Sequence, residues 1–133
     1  MILDSSFLID VEWEHEGALA KAREIEAGDL PRRVPLVVVS ELYISVGKGT
    51  RTEENRRTVD RVLRALPIVE LTVPIAKRAG ILEGELQDKD ESDEGIGLVD
   101  ALIASIALEY DEPIVTGDPD DFRRVDGVRI ETY

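Results

Sequence analysis

The sequence predicts an α/β fold, a three-layer α/β/α sandwich with a mainly parallel sheet. Three observations lead there. Short runs of Val, Ile and Leu recur at residues 2–3, 34–39, 68–71, 113–116 and 128–130. Between most of them lie stretches of ten or more residues with apolar side chains at helical spacing. Strands alternating with helices imply βαβ units, whose parallel sheet is covered on both faces. Third, 133 residues with 43% apolar content suit one domain with a sizeable core, and no internal repeat or linker divides residues 1–133.

The elements follow in order. Ile2–Leu3, before the polar Asp4, Ser5 and Ser6, reads as a short buried strand and a turn, and residues 7–13 begin a helix. Glu16–Ala27 has helical composition, with Leu19, Ala22 and Ile25 giving a partly apolar face, and Gly28 ends it. Residues 34–39 are β-branched and short, so they read as a buried strand, after which Ser40 caps a helix carrying Glu41, Leu42, Ile44 and Val46. Thr50 and Glu53 have capping-box spacing for a helix towards Leu66. Residues 68–71 are a strand, and Thr72 opens a helix through Leu86, with Pro74 tolerated in its first turn. Residues 87–95 hold no apolar side chain and read as a solvated loop. The stretch EGIGLVDALIASIALEY is the next helix, 113–116 a strand, 117–119 a turn, 120–124 a short helix and 128–130 the last strand.

Composition excludes several function classes. There are no cysteines, so disulfides, thiolate zinc sites and cysteine nucleophiles are out, and a reducing cytoplasm is the expected location. The apolar runs are broken by charge well before the length of a membrane span, and MILDSSFLID lacks the basic start and cleavage site of a signal peptide. Acids outnumber bases, 29 to 16, for a net charge of −13, and the bases are mostly Arg. Such a surface stays solvated at high salt and equally suits an ordinary acidic protein. It argues against affinity-driven nucleic-acid binding but less against an enzyme that meets phosphates through metal ions. Arg51, Arg56, Arg57, Arg61 and Arg64 with Lys48 are locally basic; with Glu53, Glu54 and Asp60 beside them they read first as a solvated helix face.

One carboxylate stands out. Asp100 lies among Leu98, Val99, Ala101, Leu102, Ile103 and Ala104. Burying it unpaired would cost an amount on the order of a small domain's whole stability. In a parallel α/β sheet ligands bind outside the carboxyl ends of the strands. Asp4 follows the first strand, Glu41 the second, and Asp118 the strand at 113–116, while Asp100 lies in the first turn of its helix. Four carboxylates on one rim repel each other unless a cation neutralises them, and hard divalent cations take oxygen ligands. The alternative for each is local: turn residues at Asp4 and Asp118, a helix acid at Glu41, a cap at Asp100.

These segments also carry a resemblance. ILDSSFLID, SELYISVGKG, VDALIASIAL and IVTGDPDDF, in that order and spacing, are similar to the motifs of the PIN-domain nucleases, most closely the VapC-type toxins of toxin–antitoxin modules. The likeness spans nearly the whole chain. It implies a PIN-like fold and metal-dependent endoribonuclease activity that hydrolyses RNA phosphodiester bonds, leaving 5′-phosphate and 3′-hydroxyl ends. It also implies Mg²⁺ or Mn²⁺ held by Asp4, Glu41, Asp100 and Asp118, supported by Ser6, Thr116 and Asp121. A closing motif that varies between Asn and Asp makes Asp118 the least constrained ligand. The implied partners are the RNA substrate, a cognate antitoxin that inserts a basic side chain into the acidic groove, and a second copy in a homodimer. Trp13, Tyr43 and Ile44 are the expected apolar contacts for the antitoxin. A housekeeping RNA-processing nuclease of the family, or a catalytically silent PIN-like binding protein, is the alternative. The single histidine, His15, disfavours metal-free chemistry by paired histidines. Ser6 is not the second aspartate a haloacid-dehalogenase-type phosphatase needs, the acidic pair and late lysine of a receiver domain are missing, and no G-x-G-x-x-G follows the first strand.

Overall fold

The computed structural model describes residues 1–89, 92 and 94–133. Of the predicted loop at 87–95, positions 90, 91 and 93 lie outside the described residues. The elements are β1 (Ile2–Leu3), α1 (Ser5–Glu12), α2 (Glu16–Ala27), β2 (Val34–Pro35), α3 (Leu36–Lys48), α4 (Thr52–Arg64), β3 (Ile68–Val69), α5 (Val73–Lys89), α6 (Leu98–Tyr110), β4 (Ile114–Val115) and β5 (Ile130–Glu131), with a 3-10 turn at Phe122–Arg124.

Every pairing is parallel. β4 lies between β1 and β5, and β2 pairs with β3. A bridge between Ile2 and Arg33 joins the two ladders, with Leu3 N–H donating to Arg33 O at 2.9 Å and Arg33 N–H to Met1 O at 2.9 Å. The continuous order is therefore β3-β2-β1-β4-β5. At the start of the sheet Arg33 pairs with Glu112 at 2.9 Å, tying the approach to β4 to the approach to β2.

Chain direction across the sheet reverses at β1. The connections from β1 to β2 and from β2 to β3 step one way, and the next jumps back to β4 on the other side of β1. Right-handed crossovers then put α1–α4 on one face and α5–α6 on the other. Packing agrees: α1 touches α2 and α3, α3 touches α4, and α5 lies along α6. This is the expected sandwich. Its core holds Ile2, Leu3, Val34, Ile103, Ile106, Ile114, Val115 and Phe122. In α6, residues 101–107 are buried without interruption, as in a helix covered all round. Among the described residues no helix is long and apolar enough to cross a membrane.

Two local expectations are corrected. Residues 36–39 are helical, and Pro35, not Ser40, is the residue before the helix. Val38, Leu42 and Val46 are buried at a spacing of four, while Leu36 is 44% exposed, which a buried strand would not allow. A short apolar run carries no period long enough to separate the two. The capping box at Thr50 does not form: α4 starts at Thr52 behind Arg51, and the Thr52 hydroxyl donates to Gly49 O. Thr72, by contrast, behaves as read, its Oγ1 accepting from Ile75 N–H at 3.4 Å.

Candidate active site

The strand order places a reversal between β1 and β4, and in open α/β sheets the crevice at such a reversal is where ligands bind. Asp4 ends β1, and Thr116, Gly117 and Asp118 follow β4, so both segments emerge there side by side. Asp4 stands in the N-cap position of α1 but makes no side-chain cap. Its Oδ2 instead accepts from Ser6 Oγ at 2.6 Å and Thr116 Oγ1 at 2.7 Å. The carboxylate oxygen accepts, which fixes the direction of those bonds, and backbone donors anchor the hydroxyl oxygens. Gly117 N–H donates to Ser6 Oγ at 3.0 Å, and Asp118 N–H donates to Thr116 Oγ1 at 3.0 Å. Each hydroxyl has one proton and spends it on Asp4. The 3.0 Å approach between the two hydroxyls therefore has no proton of its own.

Asp100 reaches the same rim from α6. The helix starts after Gly97, whose φ of +90° an L residue would adopt only under strain. Glu83 of α5 accepts from Ile96 N–H at 3.0 Å and Gly97 N–H at 3.1 Å, pinning that entry. Asp100 thus precedes the fully buried stretch by one residue and is itself half-buried. Burial, then the charges of Asp4, Asp121, Glu41 and Asp118 in that order, push its carboxyl up to about 7. Four acids therefore act on a fifth. Glu41, on the second turn of α3, is also raised, by burial first and by the charge of Asp4, with a hydrogen bond to Ser5 pulling the other way. Its Oε2 is buried without a hydrogen-bond partner among the described residues. α3 contacts α6, which brings Glu41 towards Asp100.

Asp4, Asp121, Glu41 and Asp118 thus lie near enough for their charges to act on Asp100, and Ser6 and Thr116 are bonded to Asp4 Oδ2. Asp121, read from the sequence as a supporting acid, is among those whose charge acts on Asp100. Arg124 pairs with Asp121 at 3.5 Å and donates to Gly95 O at 2.8 Å and Glu94 O at 3.0 Å, linking that acid to the entry of α6. Among the described residues no three such side chains stand in place to hold a metal ion. Like charges on one rim favour rotamers that point apart.

Tyr133 and Asp10 were not singled out from sequence. Tyr133 Oη donates to Asp10 Oδ2 at 2.8 Å, beside Gly117. Ser6 and Asp10, four apart, share one face of α1, which was the available signal. The basic stretch on α4 is mostly paired, Arg56 with Glu53 at 3.1 Å, Arg57 with Glu53 at 3.6 Å and Arg51 with Glu54 at 3.7 Å, as a solvated face would be. His15 Nδ1 caps α2 by accepting from Ala18 N–H.

The raised carboxyl gives a stability prediction. Protonated Asp100 is favoured in the fold, so its cost grows as pH rises from its ordinary 3.8 towards about 7 and then stays constant. In chelator-treated protein Asp100→Asn is expected to raise Tm at about pH 8 and leave it unchanged near pH 4. Thermal denaturation at both values checks this; an equal or lower Tm at the higher pH would contradict a repelled Asp100.

The comparisons with known proteins agree with this geometry. A family model described as PIN domain matches residues 1–128. Ribonuclease VapC2 of Rickettsia felis is 26% identical over 132 residues, covering 99% of this chain and 96% of that protein. The crystal structure of VapBC2 from Rickettsia felis, bound to a DNA fragment from the promoter, superimposes with a TM-score of 0.84 at 24% identity, over 99% of this chain and 97% of that one. A toxin–antitoxin complex from Klebsiella pneumoniae gives 0.67 at 22% identity, over 96% and 93%. The structural matches show a shared fold, and the family model, spanning nearly all of the chain, assigns it: this protein belongs to the PIN domain family.

Proposed function

We propose that this protein is an endoribonuclease that hydrolyses RNA phosphodiester bonds with a divalent cation, Mg²⁺ or Mn²⁺, and serves as the toxin of a type II toxin–antitoxin pair. The observation that carries the reading is the crowding of Asp4, Asp121, Glu41 and Asp118 on a half-buried Asp100 at the sheet's reversal point. The similarity to a protein named as a ribonuclease supports it.

The donor set fits a hard cation. It consists of carboxylate oxygens, and the buried Glu41 Oε2 has no hydrogen-bond partner among the described residues. Asp4, Glu41, Asp100 and Asp118 would hold the ion, with Asp121 adjoining. When bound, such an ion lowers the pKa of an attacking water and offsets charge on the phosphate oxygens. The chain's own contribution is positional. Ser6 and Thr116 occupy Asp4 Oδ2 and leave Oδ1 without a hydrogen bond among the described residues. Asp100, with a carboxyl near 7, must release its proton before it can serve as a ligand or accept a proton from water.

The proposed setting is the cytoplasm, with a cognate antitoxin and a second copy as partners. Trp13, 79% exposed, and Ile44, 56% exposed, offer apolar surface of the kind a partner covers. Tyr43 is less free, since its hydroxyl is bonded to Asp60. Three experiments test this reading. RNA cleavage is expected with Mn²⁺, with a loss of about 100-fold or more in Asp100→Asn. Mn²⁺ affinity measured by calorimetry is expected to fall about tenfold per unit below pH 7, as a ligand proton competes. A chelator-insensitive activity, or pH-independent Mn²⁺ binding, would contradict it. Co-expression with a short protein encoded beside it is expected to yield a complex that does not cleave RNA. No complex, with cleavage undiminished, would favour the housekeeping-nuclease reading.

A further inference from the structure

β4 and β5 run in register as far as Val115 and Glu131, and Thr116 N–H donates on to Glu131 O at 3.1 Å. Two residues past that pair, Gly117 and Tyr133 come out level with each other. The Tyr133 hydroxyl lies where a side chain on residue 117 would begin: a Cβ there would meet Oη at 2.6 Å and Asp10 Oδ2 at 3.2 Å. Tyr133 is fixed on its other sides. Its ring packs on Phe7 at 5.3 Å between centroids and edge-on to His15 at 5.9 Å, and its hydroxyl donates to Asp10. Burial, the bond to Asp10 and the charges of Asp10 and Asp4 hold that hydroxyl well above its ordinary pKa against an opposing hydrogen bond with Ser6, so it remains a donor. Ser6, one turn before Asp10 on α1, accepts from Gly117 N–H.

These contacts form one chain from Asp10 through Tyr133 and Gly117 to Ser6 and Asp4. Resting on the reading of this rim as the metal-dependent site, we propose that Tyr133, anchored by Asp10, is a positioning residue. It seats the peptide after Thr116 against α1, so that Ser6 and Thr116 keep their hydroxyl protons on Asp4. Asp4 Oδ2 accepts both hydroxyl protons, and Gly117 and Asp118 N–H hold the two hydroxyl oxygens in the places from which they donate. If the peptide lifts, the oxygens lose those anchors and the carboxylate loses its fixed orientation. Glycine at 117 is required because any Cβ would take the space of the Tyr133 hydroxyl.

The test compares Mn²⁺ affinity by calorimetry, well below Tm, with kcat and KM on RNA. Tyr133→Phe removes one hydroxyl and keeps the ring on Phe7. It is expected to weaken Mn²⁺ binding and lower kcat by about tenfold each, the scale of lost outer-shell support, with KM unchanged. Gly117→Ala is expected to cost at least as much in the wild-type background. In Gly117→Ala/Tyr133→Phe the nearest remaining contacts are Asp10 Oδ2 at 3.2 Å and Tyr133 Cζ at 3.3 Å, which small shifts relieve. The double variant is therefore expected to be no worse than Tyr133→Phe alone. Additive losses would overturn the inference, as would Tyr133→Phe with a lower Tm but wild-type Mn²⁺ affinity and kcat. Should Tyr133→Phe not fold, Asp10→Ala and Asp10→Asn replace it. Only the amide keeps an acceptor for the hydroxyl, so equal losses in both would overturn the inference. A wild-type protein that neither binds Mn²⁺ nor cleaves RNA would overturn the reading of the rim, and this inference with it. That outcome is distinct from a working enzyme indifferent to Tyr133.

Discussion

Like charge crowded onto one edge of the sheet is the constraint to which the rest of the molecule answers. Four of the five acids on that rim have their own relief. Asp4 accepts two hydroxyl bonds, Asp121 faces Arg124 at 3.5 Å, Glu41 has Ser5, and Asp118 is exposed to water. Asp100 has no hydrogen bond or ion pair among the described residues and is half-buried as well, so the repulsion accumulates there. The backbone cannot carry it outward, because α6 is held at both ends of its first turn. Glu83 and Arg124 hold the entry, and residues 101–107 are packed on every side. The fold therefore maintains an uncompensated acid at a fixed place. An ordinary structural carboxylate would have been given a partner or been left in water.

Much of this was legible in the chain, for reasons that particular residues show. The alternation of short β-branched runs with helical stretches set the sandwich, since parallel strands need crossovers. Asp4 and Asp118 could be placed on one rim because both follow strands of a parallel sheet, and the carboxyl ends of such strands share an edge. Asp100 was conspicuous because no apolar helix tolerates an acid without cause. Where the reading failed, the signal was local and ambiguous. Residues 36–39 carry β-branched side chains that suit a strand, yet the burial of Val38, Leu42 and Val46 shows a helical period that extends past the run. Tyr133 was invisible for a different reason, while Asp10 shared a helix face with Ser6 and was passed over. Their meeting depends on the register of β4 with β5, and no spacing along the chain encodes that contact.

The overall charge of −13 sets a second condition on function. RNA is drawn to cationic surfaces, and in the basic stretch here three of the six bases, Arg51, Arg56 and Arg57, face Glu53 or Glu54. Long-range attraction is thus a poor account of substrate capture. A divalent cation among the carboxylates would offset part of their charge and offer a phosphate a direct positive contact, and screening at physiological salt confines the remaining repulsion to about 8 Å. On this account a single ion both relieves Asp100 and makes the rim able to accept an anionic substrate.

The most direct measurement is a crystal of the protein soaked in Mn²⁺, with anomalous scattering used to locate the metal. The account predicts a peak in coordination distance of both Asp4 and Asp100, with Asp4 Oδ2 still held by Ser6 and Thr116. A peak away from Asp100, or none in protein that cleaves RNA with the same Mn²⁺, would contradict it.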